Sequence, residues 1–190
     1  MKTSTTKPAM AKPKKDFVAD VEVTTDLLQV LHKDHKNVSE LFFQFSQEDD
    51  DKEKKAIVTR IIKELTLHAK AEEDVVYPAV RDGADDAEDI MDEADTEHHV
   101  VKFLLAELSD MSPKDEYFDA KVTVLCELVK HHVEEEEKEM FDKIKDADLD
   151  LEALGQEFLD HKEEALGKKP LPKDKLAVVG SRVAAKKKTA

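Results

Sequence analysis

The sequence predicts an all-α protein: an antiparallel up-down four-helix bundle with an extra short C-terminal helix and basic tails. The first reason is composition, because the 190 residues are only 5% aromatic and contain four Gly and six Pro, which disfavours a many-stranded β fold. The second reason is that only Pro78 and Pro113 interrupt the central part of the chain. The third is that long central segments place apolar residues at alternating steps of three and four.

Capping and turn residues give the order of the predicted helices. The first helix begins at the cap Thr24-Thr25-Asp26, and the second begins at the acidic run Glu48-Asp49-Asp50-Asp51. The turn Arg81-Asp82-Gly83 leads into the third helix. The first helix is predicted to end at about Gln47, the second near Pro78 and the third before Met111. A fourth helix is predicted from about Lys114 to about Lys145, and a fifth over about 150–166, where Gly167 ends it. Four long helices with short connections favour an up-down bundle.

Charge divides the chain into three parts. Residues 1–15 have five Lys and no acid, 168–190 have eight basic residues against one Asp, and 16–167 have 17 basic against 44 acidic residues. We therefore predict disordered basic tails at 1–20 and 168–190 around a body at 21–167. The acidic body would repel phosphates, so a nucleic-acid partner is not expected, and it favours a monomer.

No apolar run approaches the ~20 residues that span a bilayer, and the basic N-terminus has no apolar segment behind it. We therefore expect a cytoplasmic protein without a membrane partner. The single cysteine, Cys126, excludes an intrachain disulfide framework and a Cys-rich metal site.

Each of the four long helices places one histidine on its inward apolar face, and the second and fourth helices add a glutamate one turn later. These six residues are His35, His68, Glu72, His98, His132 and Glu136. A single buried histidine can be neutral and bonded to a backbone carbonyl. Six unpaired ionisable groups in an apolar interior would cost several kcal/mol each. A metal centre explains them better, because a cation offsets the desolvation of carboxylates and binds neutral imidazole.

The spacing of these residues repeats along the chain. His68-x-x-x-Glu72 and His132-x-x-x-Glu136 each put two ligands on one helix face. Asp34-His35 likewise matches Glu97-His98, so the two halves are offset by 63 and 64 residues. Two helix hairpins related by a pseudo-twofold axis would place two metal ions around that axis, bridged by two glutamates and without a thiolate.

Neighbouring polar residues fall beside this pattern. His32, His99 and His131 each lie one residue off the inward face, and His161 lies on the fifth helix. We interpret all four as surface residues or supports of the ligands, although a register error of one residue would exchange His99 and His131 with their neighbours. Glu73 and Glu137 directly follow the two glutamates of the pattern, and we interpret them as part of a solvated acidic face.

The ordered set of four His and two Glu over four helices resembles the hemerythrin-like family, specifically its HHE cation-binding domain, over about residues 24–145. The resemblance implies two non-haem Fe ions, bridged by the carboxylates and an oxo or hydroxo group, and chemistry related to O2. Oxygen-carrying hemerythrins have a fifth histidine four residues after the one on the third helix, where this chain has Lys102. Their last carboxylate is an Asp five residues after the histidine, whereas Glu136 is four residues after His132. One iron position would then be filled by water, by Tyr77 or by nothing.

The leading hypothesis is a cytoplasmic di-iron protein that binds or reacts with O2, peroxide or nitric oxide as a sensor, scavenger or store. Peroxide decomposition is compatible with an open iron position, but the sequence identifies no separate proton donor, so enzyme activity stays open. Ferritin-type iron oxidation and storage is an alternative, although the bundle has none of the Glu-x-x-His motifs of that fold. A further alternative is an interaction module that acts through the basic tails.

Overall fold

Helices account for nearly all of the chain that the computed structural model describes, which is residues 25–167. Five helices, α1 to α5, follow one another along it. They are α1 (Leu27–Gln47), α2 (Asp51–Ala71, a π-helical turn at Glu72–Val76, then Tyr77–Gly83), α3 (Glu88–Asp110), α4 (Phe118–Glu135, a π-helical turn at Glu136–Met140, then Phe141–Asp146) and α5 (Leu151–Gly167). This confirms the predicted all-α fold. The predicted basic tails lie outside the described residues.

Contacts between helix ends establish the antiparallel arrangement. Lys54, in the first turn of α2, forms a 2.6 Å ion pair with Asp119, in the first turn of α4. The neighbouring Lys55 reaches the last residues of α3. Therefore α2 and α4 begin at the end of the bundle where α1 and α3 finish, as an up-down topology requires. The fifth helix packs against the outside of α1 and α2.

The predicted end of the second helix at Pro78 is wrong, because α2 remains helical to Gly83. Proline lacks an N–H and clashes with the carbonyl four residues earlier in a regular α-helix. Here a π-helical turn directly precedes it, and the Tyr77 N–H bonds to the Glu72 carbonyl five residues back. This wider turn relieves the clash. The other boundaries differ less, since α3 begins at Glu88 and α4 at Phe118.

The interior consists of two apolar clusters separated along the bundle axis. One cluster surrounds the N-terminal half of α1 and the C-terminal half of α2, with Leu31, Met91 and Ile144 fully buried. The other surrounds the opposite end, with Ile61 and Leu108 at its centre. Within residues 25–167, no helix combines the length and the apolar character needed to cross a membrane.

Lys55 caps the C-terminus of α3, where the last carbonyls have no partner within the helix. Its Nζ donates to the backbone carbonyls of Leu108 at 3.2 Å, Ser109 at 3.3 Å and Met111 at 2.6 Å. We expect Lys55→Met to lower the free energy of unfolding by about 1–2 kcal/mol, because it removes charge-assisted hydrogen bonds in a half-buried position. Urea denaturation measures this loss. The exposed Lys33→Met is the matched control, and equal stability of the two variants would contradict the capping role.

Candidate metal centre

The six predicted site residues lie together in one polar layer between the two apolar clusters. Each is at most 5% exposed, and Glu72 is completely buried. They come from four helices: His35 from α1, His68 and Glu72 from α2, His98 from α3, and His132 and Glu136 from α4.

Glu72 lies between imidazoles of the two helix hairpins. Its Oε1 is 3.1 Å from Nε2 of His68, on the same helix, and its Oε2 is 3.4 Å from Nε2 of His98, on α3. One carboxylate therefore spans two histidines that belong to different halves of the bundle. A bridging ligand needs this placement.

Glu136 makes the equivalent arrangement on the other side of the site. Its Oε1 is 3.3 Å from Nε2 of His132, on the same helix, and its Oε2 is 3.3 Å from Nε2 of His35, on α1. The two glutamates are thus related by the repeat seen in the sequence. Each one connects a histidine of its own helix with the histidine of the opposite hairpin.

Several inward-facing atoms of this layer approach one another at 3.1–3.4 Å without forming a hydrogen bond. They are Nε2 of His35 and His68, both carboxylate oxygens of Glu72, and Oε2 of Glu136. Buried polar atoms are almost always paired in native proteins, so a convergent group of unpaired ones requires an explanation. Ligand atoms of His35, His68, Glu72 and Glu136 lie within 4.8 Å of one another, as do those of Glu72, His98 and His132. Imidazole and carboxylate without thiolate suit iron as well as other first-row metals, so the donor set fits two ions that share Glu72.

Each imidazole turns its other nitrogen, Nδ1, toward a carboxylate outside the layer. These four outer carboxylates are Glu137 at 2.9 Å from His35, Asp34 at 3.3 Å from His68, Glu73 at 2.9 Å from His98, and Glu97 at 2.8 Å from His132. Such carboxylates orient a metal-binding histidine and fix which nitrogen faces the metal. They follow the repeat as well, because Asp34 and Glu97 precede a site histidine while Glu73 and Glu137 follow a site glutamate.

The interpretation of Glu73 and Glu137 as a solvated acidic face is wrong. Both are half-buried and bond to a site histidine. In a regular helix, the residue after an inward-facing one points about 100° away from it. Here both follow the first residue of a π-helical turn, and such a turn lets neighbouring residues approach one site. Counting seven residues on from Glu72 by regular helical steps would put Ala79 on the inward face, but the same turn shifts that face, so Val80 is buried and Ala79 is only half-buried.

A cationic or protonatable side chain faces each outer carboxylate from its other side. Lys162 of α5 bonds to Asp34, Lys102 bonds to Glu73, His32 lies 2.9 Å from Glu137, and His131 lies 3.7 Å from Glu97. His32 and His131 are largely exposed, which agrees with their predicted place beside the ligands. His99 is exposed too, and His161 contacts Asp74 at 3.6 Å. Lys102, at the position of the fifth histidine of oxygen carriers, therefore contacts the outer carboxylate of His98.

Charges within the layer change the pKa values of its members. Burial lowers the pKa of His68, but Glu72 and Asp34 together raise it to about 10. Burial likewise lowers the pKa of His132, whereas Glu136 and Glu97 raise it to about 9. Without metal, these two histidines are therefore protonated near neutral pH, and each imidazolium lies beside the buried glutamate of its own helix.

Tyr77 contributes the remaining polar group near the centre. Its hydroxyl donates to Oε1 of Glu136 at 3.1 Å and lies 3.3 Å from Nε2 of His98. Burial and the nearby Glu136 raise the pKa of Tyr77 well above its usual value, so the phenol keeps its proton. At the equivalent position of the other half, Phe141 stacks on the ring of His35 with centroids 6.3 Å apart.

A small cavity adjoins the histidines on the side of the second apolar cluster. Its volume is about 20 Å³, and Val38, Leu65, Val101 and Val129 supply its apolar walls. This is room for about one water-sized molecule. The site therefore offers space to a small, weakly polar ligand beside the imidazoles.

Comparisons with known proteins agree with this geometry. A family model described as the hemerythrin HHE cation-binding domain matches residues 26–144. A DNA nickase from Nostoc sp. (strain PCC 7120) is 34% identical over 122 residues, which are 63% of this chain and 34% of the nickase. The chain thus spans about a third of the length of this curated relative. A crystal structure of a hemerythrin HHE cation-binding domain-containing protein from Mycobacterium kansasii has a similar fold, with TM-score 0.65 and 23% identity over 75% of this chain and 88% of the other.

We expect the metal-free protein to lose stability as the pH rises from 6.5 to 9. The pKa values of His68 and His132 are raised above the ordinary 6.5, so their contribution is complete below pH 6.5 and declines up to the folded pKa. One pKa unit corresponds to about 1.4 kcal/mol, so each of the two histidines should contribute a decline on the order of 3 kcal/mol. Urea denaturation after chelator treatment measures it. His68→Asn should reduce this dependence to the part that His132 contributes, and the exposed His99→Asn should leave it unchanged, whereas a flat profile for the wild type would contradict the assignment.

Proposed function

Because the chain belongs to the hemerythrin HHE cation-binding domain family, we propose that its polar layer holds two non-haem iron ions and that the protein binds or reacts with a small oxidant. The ligands would be His35, His68, Glu72, His98, His132 and Glu136. The observation that carries this proposal is the convergence of unpaired imidazole nitrogens and carboxylate oxygens in the centre of the bundle. O2, peroxide and nitric oxide are the candidate oxidants, and a sensor, a scavenger or a store are the corresponding roles.

The number of donors supports a reactive rather than a purely structural centre. Four imidazoles and two carboxylates would hold the two ions, and so few protein donors would leave room for exogenous ligands. When bound, such ions supply electrons to, or accept them from, a small ligand at the site. The cavity of about 20 Å³ beside the histidines has room for about one water-sized molecule, which favours a small oxidant over a bulky substrate.

The residues of the chain would hold the site in place and keep bulk water out. The four outer carboxylates orient the imidazoles, and the two apolar clusters close the layer from above and below. The Tyr77 hydroxyl, which keeps its proton, donates a hydrogen bond to Glu136 at 3.1 Å and could donate one to a small ligand at the site. This hydrogen-bond donor, which the sequence alone does not identify, makes peroxide breakdown a specific form of the proposal to test.

We do not extend the DNA nickase name of the curated relative to this chain. The match covers 34% of that protein, and the acidic body of this chain, with 44 acidic against 17 basic residues over 16–167, disfavours contact with phosphates. The same acidic surface supports our proposal of a monomer, and we propose the cytoplasm as its location.

Iron loading tests the ligand assignment. We expect about two irons per chain in the wild type after anaerobic reconstitution. His68→Ala and Glu136→Gln should each lose at least one iron, because each variant removes a donor of one of the six proposed ligands. Elemental analysis and the near-ultraviolet absorption of an oxo-bridged pair measure this. The control is His99→Ala, which changes an exposed histidine of α3. Retention of both irons in His68→Ala or Glu136→Gln would overturn the assignment, as would zinc as the sole metal of cells supplied with iron.

Filling the cavity tests the small-ligand proposal separately. Val101→Leu adds one methylene to a cavity wall without touching a donor atom, so we expect full iron content and slower reaction with O2 or nitric oxide. Stopped-flow absorption after mixing the reduced protein with each gas gives the rate. Val124→Leu adds the same group at an exposed position and serves as control. If Val101→Leu and Val124→Leu react with the gases at equal rates, the ligand does not enter through this cavity.

A further inference from the structure

Helix α5 contacts the candidate metal centre although it lies beyond the residues that match the family model, which end at 144. Its Phe158 is completely buried, and the ring stands edge-on to His68 with centroids 5.9 Å apart. Its Gly155 lies against the start of α1 so closely that a Cβ there would be 1.8 Å from the Thr25 carbonyl oxygen. Helix α5 therefore packs closely against the start of α1 and covers the site histidine His68.

Lys162 is the residue of α5 that connects with the ligands. Its ammonium bonds to Oδ2 of Asp34, and the same oxygen is 3.3 Å from Nδ1 of His68. Lys162 and Asp34 are only 13% and 16% exposed, and the Lys162 ammonium also lies 5.6 Å from the centroid of the Phe158 ring. This arrangement makes a continuous chain of contacts from α5 to an imidazole of the site.

Comparison of the two halves of the bundle indicates why α5 supplies this cation. In the second half, the outer carboxylate Glu97 faces His131, the residue directly before the site histidine His132. The residue directly before His68 is Leu67, which has no charge to offer Asp34. The four-helix bundle alone leaves Asp34 without the equivalent partner, and α5 provides it.

We propose that α5 is a functional part of the metal centre and that Lys162 is a positioning residue, which holds Asp34 against His68 and thereby sets the metal affinity of the half-site that contains His68. This inference rests on the proposed function, because it requires metal at the site. Without Lys162, Asp34 turns toward solvent and His68 loses the partner that fixes its ring. Loss of such a supporting contact lowers metal affinity by about 10- to 100-fold. His98 and His132 have other outer carboxylates, so the second ion keeps its affinity.

The experiment compares the full-length wild type with Lys162→Gln, Lys162→Arg and the exposed Lys138→Gln. Anaerobic titration with ferrous ion against a chelator gives the two affinities, and Mössbauer spectra of the loaded protein report each iron separately. We expect Lys162→Gln to weaken one of the two ions by about 10- to 100-fold and to change one quadrupole doublet. Lys162→Arg should recover most of the affinity, and Lys138→Gln should match the wild type.

A mutant cycle with Asp34→Asn separates positioning from general stability. If Lys162 acts through Asp34, the effect of Lys162→Gln on affinity disappears in the Asp34→Asn background, whereas independent effects would add. Asp34→Asn also tests the same contact should Lys162→Gln fail to fold. Two unchanged affinities, equal losses at both ions, or additive losses in the cycle would overturn the inference while leaving the proposed function intact. A wild type without two iron sites would instead overturn the proposed function, and the inference with it.

Discussion

Two carboxylates buried in the middle of an apolar bundle are the constraint on which the rest of this structure depends. Glu72 and Glu136 are 0% and 3% exposed, and isolated carboxylates at such depth would cost more than a domain of this size can offset. Positive charge must therefore accompany them. Protons on His68 and His132 meet this need without metal, and metal cations would meet it better because they also use the remaining imidazoles.

The layered interior follows from that constraint. The polar layer crosses all four helices at one level, so each helix has to change from apolar to ionisable residues there and back again. Apolar clusters on both sides keep water from the layer and so strengthen every interaction within it. The π-helical turns at Glu72 and Glu136 bring a second, outer carboxylate to the same level. The backbone irregularities therefore occur where the site requires two consecutive acidic residues.

Regular helical periodicity is the reason that the members of the polar layer could be predicted from the sequence. His35, His68, Glu72, His98, His132 and Glu136 all follow the alternating steps of three and four residues, and the structure brings them together; their role as ligands stays a prediction. Glu73 and Glu137 could not be found by that rule, since it holds only for uniform α-helix. A signal was present, however, because both residues obey the 64-residue repeat. The contact of Lys162 with Asp34 joins residues 128 positions apart, and no local pattern encodes it.

The departures from the repeat carry as much chemical information as the repeat itself. Tyr77 and Phe141 occupy equivalent positions, yet one presents a hydroxyl to Glu136 and the other stacks a hydrocarbon ring on His35. The side chains that face the outer carboxylates differ too, since Asp34 and Glu73 face lysines while Glu137 and Glu97 face histidines. A symmetric pair of ligand sets is thus surrounded by unequal partners. Two metal ions in this layer would therefore experience different environments, and a small oxidant entering from the cavity would meet two chemically distinct positions.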